Sequence, residues 1–166
     1  MIANVNIIDN KREAELNEAL ELLHFCFRAV IAEPDRILAK QGFGRAHHRI
    51  LYFLAHRPGM LMTELIDVLD VSRQALHRPL GDLLRKGHLT IEPSPHNRRN
   101  NVLTLTAKGM ALERTISGLQ RDAFQDAFVA AGPAAERHWR TIMAHVAATA
   151  DAASKRGKGR TGKAAD

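Results

Sequence analysis

The sequence predicts a mainly α-helical chain with a small β-hairpin wing. Three observations carry this. Apolar residues recur at helical spacing over most of the 166 residues. Two short alternating runs, 88–92 and 102–105, flank a polar tip rich in arginine and asparagine. Directly before them lies a Ser-capped leucine stripe, 72–86, preceded by a short helical segment and a tight connection. In that order these describe a winged helix-turn-helix flanked by N- and C-terminal dimerisation helices.

Taken in order, Asn10 with Glu13 suggests a capping box. Leu16, Leu20, Leu23, Phe27, Val30 and Ile31 then form the first helix. Pro34 is expected to interrupt it, because proline has no backbone N–H to donate. Gly42 and Gly44 flank Phe43 in a turn. A second helix, 45–56, turns Ala46, Ile50, Phe53 and Leu54 inward and ends at Arg57-Pro58-Gly59. Thr63 caps a third helix with Leu65, Val68 and Leu69 inward, and Asp70-Val71 leads to Ser72.

The fourth helix, 73–86, packs Leu76, Leu80, Leu83 and Leu84 on one side. Pro79 lies within it, where an undistorted helix loses about 3 kcal/mol, so a bend or a separate first turn is expected. Gly87 ends it. After the hairpin, Thr106 caps a fifth helix striped by Ala111, Leu112, Ile116, Leu119, Ala123 and Ala127. Gly132-Pro133 breaks the chain, and the sixth helix carries Trp139, Ile142, Met143, Val146 and Ala150. The expected organisation is a helical dimerisation region at 1–41 and 107–153, a DNA-binding domain at 42–106, and a disordered basic tail at 154–166.

Charge is unevenly placed. Residues 1–36 hold four basic and seven acidic side chains, whereas 72–101 hold six basic and two acidic. A basic stripe beside an acidic end favours a polyanion for the stripe. On the fourth helix Gln74 and Arg78 are four apart and point away from the leucines, with Ala75 beside them and Arg73 and His77 on a flank. Arginine bonds guanine bidentately and glutamine does the same to adenine, so Gln74 and Arg78 are the expected base readers. Ser72, Arg73 and the helix N-terminus suit a phosphate. At the tip, His96, Asn97, Arg98 and Arg99 are placed to meet phosphates or the minor groove.

The segment VSRQALHRPLGDLLRKGHL and the wing ending RRNNVLTLTAKG resemble the MarR family of bacterial transcriptional regulators over about residues 13–150. The most specific signals are Leu105-Thr106-Ala107-Lys108-Gly109 and Arg99, seven positions before Thr106. The resemblance implies an obligate homodimer on a pseudo-palindromic operator in double-stranded DNA, usually a repressor relieved by a ligand or oxidant. The chain departs from the family at Asn97, where the wing usually has aspartate, so the carboxylate that would pair with Arg99 is missing. In similar proteins a small aromatic or phenolic effector sits between the dimer arm and the DNA-binding lobe. Here helices one, two and five would line that cavity, with His48, Arg49 and Tyr52 offering polar groups.

Other readings compete with this one. Thiol-based regulators resembling this family keep a reactive cysteine in the first helix, so redox sensing at Cys26, the only cysteine, is one alternative. With no partner on its helical face, Cys26 reads better as a buried, inert residue. A second alternative is a winged-helix interaction scaffold without specific DNA binding. No catalytic constellation, Gly-rich phosphate loop or nucleophile elbow appears, so no enzyme and no cofactor are expected. His47 and His48 diverge on a helix, and His138 and His145 have no matching carboxylate, so no metal site is expected. Without a signal sequence or an apolar span, the expectation is a cytoplasmic protein with no membrane partner.

Overall fold

A computed structural model describes residues 10–93 and 101–161, with side chains as far as Thr149. It contains α1 (Asn10–Lys40), α2 (Arg45–His56), α3 (Met62–Leu69), α4 (Arg73–Arg85), β1 (Leu89–Pro93), β2 (Asn101–Leu105), α5 (Ala107–Ala131) and α6 (Pro133–Thr161). The chain divides after Arg121 into two units.

The first unit is the winged helix-turn-helix lobe. Its core is built from Leu38 of α1, Ile50, Leu51 and Leu54 of α2, Leu65 and Leu69 of α3, Leu76, Leu80 and Leu83 of α4, Leu89 and Leu103 of the hairpin, and Leu112 and Ile116 of α5. The end of α1 is thus part of the lobe. Helix α1 also runs unbroken through Pro34, contrary to the interruption expected there. The ring of Pro34 is fully buried, and that burial offsets the hydrogen bond proline cannot donate.

Several inward faces differ from the expected stripes. On α2 the buried residues are His47, Ile50, Leu51 and Leu54, while Ala46 is exposed. A histidine takes an inward place because Gly44 N–H donates to its Nδ1 at 2.9 Å and Phe43 stacks on its ring. On α5 the buried face is Gly109, Leu112, Glu113, Ile116 and Ser117; Ala111, Leu119, Ala123 and Ala127 are exposed. Glycine occupies the start of that seam because α5 approaches the backbone of His88 closely there, and Ser117 further along faces His48.

Helix α3 is capped at Leu61, not Thr63. Leu61 N–H donates to the Glu64 carboxylate at 2.8 Å, and Leu61 is held by a bridge to Val102. Asp70 then turns the chain with φ of 48°, in the left-handed region that Asp tolerates better than most residues. Ser72 caps α4 as expected, its Oγ accepting Ala75 N–H at 3.1 Å. Helix α4 runs without interruption through the half-buried Pro79, so no separate first turn forms.

The hairpin pairs Leu89 with Leu105 and Ile91 with Leu103 in antiparallel register. Met60 carbonyl accepts Leu103 N–H at 3.0 Å, so the α2–α3 connection lies alongside β2. Thr106 joins wing to α5. Its Oγ1 accepts Gly109 N–H at 3.1 Å and donates to Gly87 carbonyl at 2.8 Å.

The second unit contains the end of α5 and all of α6, separated by Gly132 at φ of 85°. Phe124 and Phe128 pack on Trp139 with centroids 5.2 and 5.3 Å apart. Helix α6 continues to Thr161, so residues 154–161 are helical where a disordered tail was expected. Alanine-rich sequence favours this extension. No helix among the described residues is long and apolar enough to cross a membrane.

Candidate nucleic-acid interface and ligand cavity

Leucine burial sets the orientation of α4. With Leu76, Leu80 and Leu83 packed into the core, Ser72, Arg73, Gln74, Ala75, His77 and Arg78 are all exposed. Gln74 and Arg78 lie one turn apart on the outward side, adjacent as residues four apart on a helix are. Arg73, Gln74, His77 and Arg78 have no side-chain partner among the described residues. Arg85 differs, because its guanidinium is tied to Asp82. The exposed row therefore offers free donors near the helix start, and a paired one near its end. His96, Asn97, Arg98 and Arg99 lie outside the described residues.

A polar cluster missed in the sequence steadies the other side of α4. Asp82 takes the Arg85 guanidinium and lies 3.3 Å from His47 Nε2. The Arg85 hydrogen bond, aided by that from His47, holds the Asp82 carboxyl below its usual range. Phe43 stacks on His47 at 4.7 Å and meets His88 edge-on at 5.0 Å, with Lys86 Nζ over its face. Histidines usually read as surface residues, and nothing in the spacing of His47 and His88 points to this packing.

The residues expected to meet a ligand do come together. A cavity of about 310 Å³ is lined by Phe27, Ile31 and Asp35 of α1, Arg45, His48, Arg49, Tyr52 and Phe53 of α2, and Gln120 of α5. Asp35 and Arg45, unforeseen in the sequence, form an ion pair at 3.0 Å on its rim. His48 Nε2 lies 3.3 Å from Ser117 Oγ. Arg49 Nη2 donates to the Leu69 carbonyl at 2.8 Å. Tyr52 stacks on His56 at 4.3 Å. Aromatic walls with two arginines and a histidine suit a flat molecule bearing an acidic group.

Cys26 is exposed, not buried as expected, because the winged lobe buries α1 only from Ile31 onward.

Burial lowers the His48 pKa below its ordinary value of 6.5, opposed by Glu113 and then Asp35; burial also lowers that of His88, aided by Lys108 and Lys86. Protonation at either site therefore favours the unfolded chain, whose histidines take up protons more readily. Stability from this source is complete above about pH 6.5 and is lost as pH falls toward the folded pKa values. The urea midpoint should decline between about pH 7.5 and 5.5. A His48→Gln/His88→Gln protein should show a shallower decline, and an equally steep one would remove these histidines as the cause.

Fold and exposed helix together define a winged helix-turn-helix protein. The MarR family profile matches residues 41–100, which include α2, α3, α4 and the start of the wing. The HTH-type transcriptional regulator PetP of Rhodobacter capsulatus is 38% identical over 131 residues, 79% of each chain. The chain belongs to the MarR family. Among solved structures, a MarR protein from Peptoclostridium difficile superposes with a TM-score of 0.67 at 15% identity, covering 90% of this chain and 92% of that one. NadR in complex with 4-hydroxyphenylacetate gives 0.63 at 20% identity, covering 75% and 89%. These two likenesses establish the fold.

Proposed function

We propose that this regulator is a homodimer that reads a pseudo-palindromic operator with α4 in the major groove and represses until a small aromatic or anionic ligand enters the α1–α2–α5 cavity. The observation that carries the reading is the exposed Gln74 and Arg78 pair on a helix held by its leucines and its Ser72 cap. In this reading Gln74 and Arg78 contact base edges, with Ala75 and His77 beside them. Ser72 and Arg73 meet a phosphate at the helix start, and the wing residues His96, Asn97, Arg98 and Arg99 meet the flanking backbone or minor groove. Apolar residues left exposed on α1, such as Leu20, Phe25 and Phe27, support a second copy as the covering partner. So, separately, do Ile142 and Val146 of α6. The cytoplasm is where such a protein meets its DNA. The ligand assignment rests on the cavity's lining, and the aromatic acid in the NadR structure is of the matching chemistry.

The test is a shift assay on the DNA upstream of its own gene. One retarded species containing two chains per duplex should appear, preferred over unrelated DNA and weakening steeply from about 50 to 200 mM salt. Equal binding to any duplex, or one chain per duplex, would overturn the proposal.

A further inference from the structure

Arg49 touches two places at once. It lines the α1–α2–α5 cavity, and it lines a smaller cleft against Leu69, Val71, Ala75 and Leu76. Its Nη2 donates to the Leu69 carbonyl at 2.8 Å. Leu69 is the last residue of α3; the left-handed Asp70 follows, and Ser72, the cap of α4, comes two residues later. The Leu69 carbonyl is one of those that a helix end leaves without an intrahelical partner, so Arg49 supplies an external cap at the turn that aims α4.

We propose that Arg49 is the positioning residue through which the cavity controls the DNA-reading helix. The inference rests on the ligand reading given above. An arginine–carboxylate hydrogen bond is charge-assisted and frequently bidentate, and is stronger than the bond to a neutral carbonyl. A carboxylate in the cavity competes for the same guanidinium. When Arg49 turns to it, the Leu69 carbonyl loses its donor, and the turn from Asp70 to Ser72 loses a tie to α2. The empty cavity thus favours the α4 placement seen here, and an occupied one favours a relaxed turn. A ligand shifts this balance only as far as its affinities for the two arrangements differ. The coupling is reciprocal, so operator DNA weakens ligand binding by the same factor.

The test uses the full-length chain with benzoate and 4-hydroxyphenylacetate as probes. Probe binding is followed by calorimetry, and operator affinity is measured with and without saturating probe. For the parent, probe should weaken operator binding by a factor within the usual range of about 5 to 150. Arg49→Gln should bind operator more weakly than the parent without probe, and saturating probe should then change its affinity less than about 2-fold, well short of that range. Arg49→Lys, which keeps one donor for the carbonyl, should recover part of the probe-free affinity. Thermal melts identify variants that merely fail to fold. A second readout needs no variant: in the parent, bound probe should speed amide exchange at Asp70 and Val71, whose N–H groups donate within this turn to the Asp67 and Ile66 carbonyls. Absence of probe binding to the parent overturns the cavity reading and this proposal together. Probe binding with an unchanged operator affinity overturns the ligand relief proposed above together with the role of Arg49. A response in Arg49→Gln equal to the parent's, or exchange unmoved by bound probe, overturns the role of Arg49 alone.

Discussion

Gly109→Ala should unfold the lobe at a much lower urea concentration, with a loss of roughly 3 kcal/mol or more. A Cβ at Gly109 would stand 2.0 Å from the His88 carbonyl oxygen and 3.0 Å from its carbon. Neither partner can easily move. The same oxygen accepts Thr106 N–H at 3.1 Å, and His88 N–H is bound to the Leu83 carbonyl at 2.9 Å. Alanine would add about 1 kcal/mol of helix propensity over glycine, but the overlap with fixed backbone outweighs it. Against a usual total of about 5–15 kcal/mol, the loss leaves little folded margin. Gly118→Ala is the contrast. The nearest atom to its Cβ is the flexible Arg121 Nη2 at 3.9 Å, so the propensity gain should appear nearly undiminished. A Gly109→Ala protein as stable as its parent would show that α5 does not approach the wing base so closely.

Arg78→Ala should weaken operator binding by about 1–3 kcal/mol and relax sequence preference at one position of each half-site. The parent arginine is exposed and has no side-chain partner among the described residues, so its removal costs the fold little. Alanine is also the better helix former. Arg85→Ala should have a smaller effect on binding, because that guanidinium is already engaged by Asp82. Competition shift assays with single-base operator variants separate the two. If Arg78→Ala keeps both the affinity and the base preferences of the parent, α4 does not read the major groove through this residue.

Local chemistry made much of this architecture readable from the chain. Ser72 and Thr106 cap helices because their hydroxyls reach amides three residues ahead. Gly132-Pro133 breaks a helix whatever surrounds it, and the ends of α2 follow from the glycines before it and Arg57-Pro58-Gly59 after it. The outward set on α4 was legible because four leucines leave little choice of inward face. The cavity was legible in part: His48, Arg49 and Tyr52 share one helix, whereas Asp35 and Gln120 come from two other helices.

What could not be read depended on tertiary contact. Pro34 argues for a break until its ring is seen buried. His47 and His88 look like surface groups until Phe43 lies between them. The face of α5 was read in part: Leu112 and Ile116 were expected there, but Gly109, Glu113 and Ser117 share it, and a count of apolar residues does not point to them. Thr63 looks a better cap than Leu61, but the bridge to Val102 holds Leu61 at the helix start.

The strand-like contact of Met60 and Leu61 with β2 bears on solubility. A two-stranded ribbon has two open edges, and an open edge can recruit a strand from another molecule. Here one edge is occupied by the chain's own α2–α3 connection. The other belongs to β1, which is only five residues long and ends in an exposed Glu92 and a Pro93 that has no amide hydrogen to offer. The hairpin can therefore project toward a nucleic acid while remaining a poor template for sheet growth between copies, which guards the protein against aggregation through its wing.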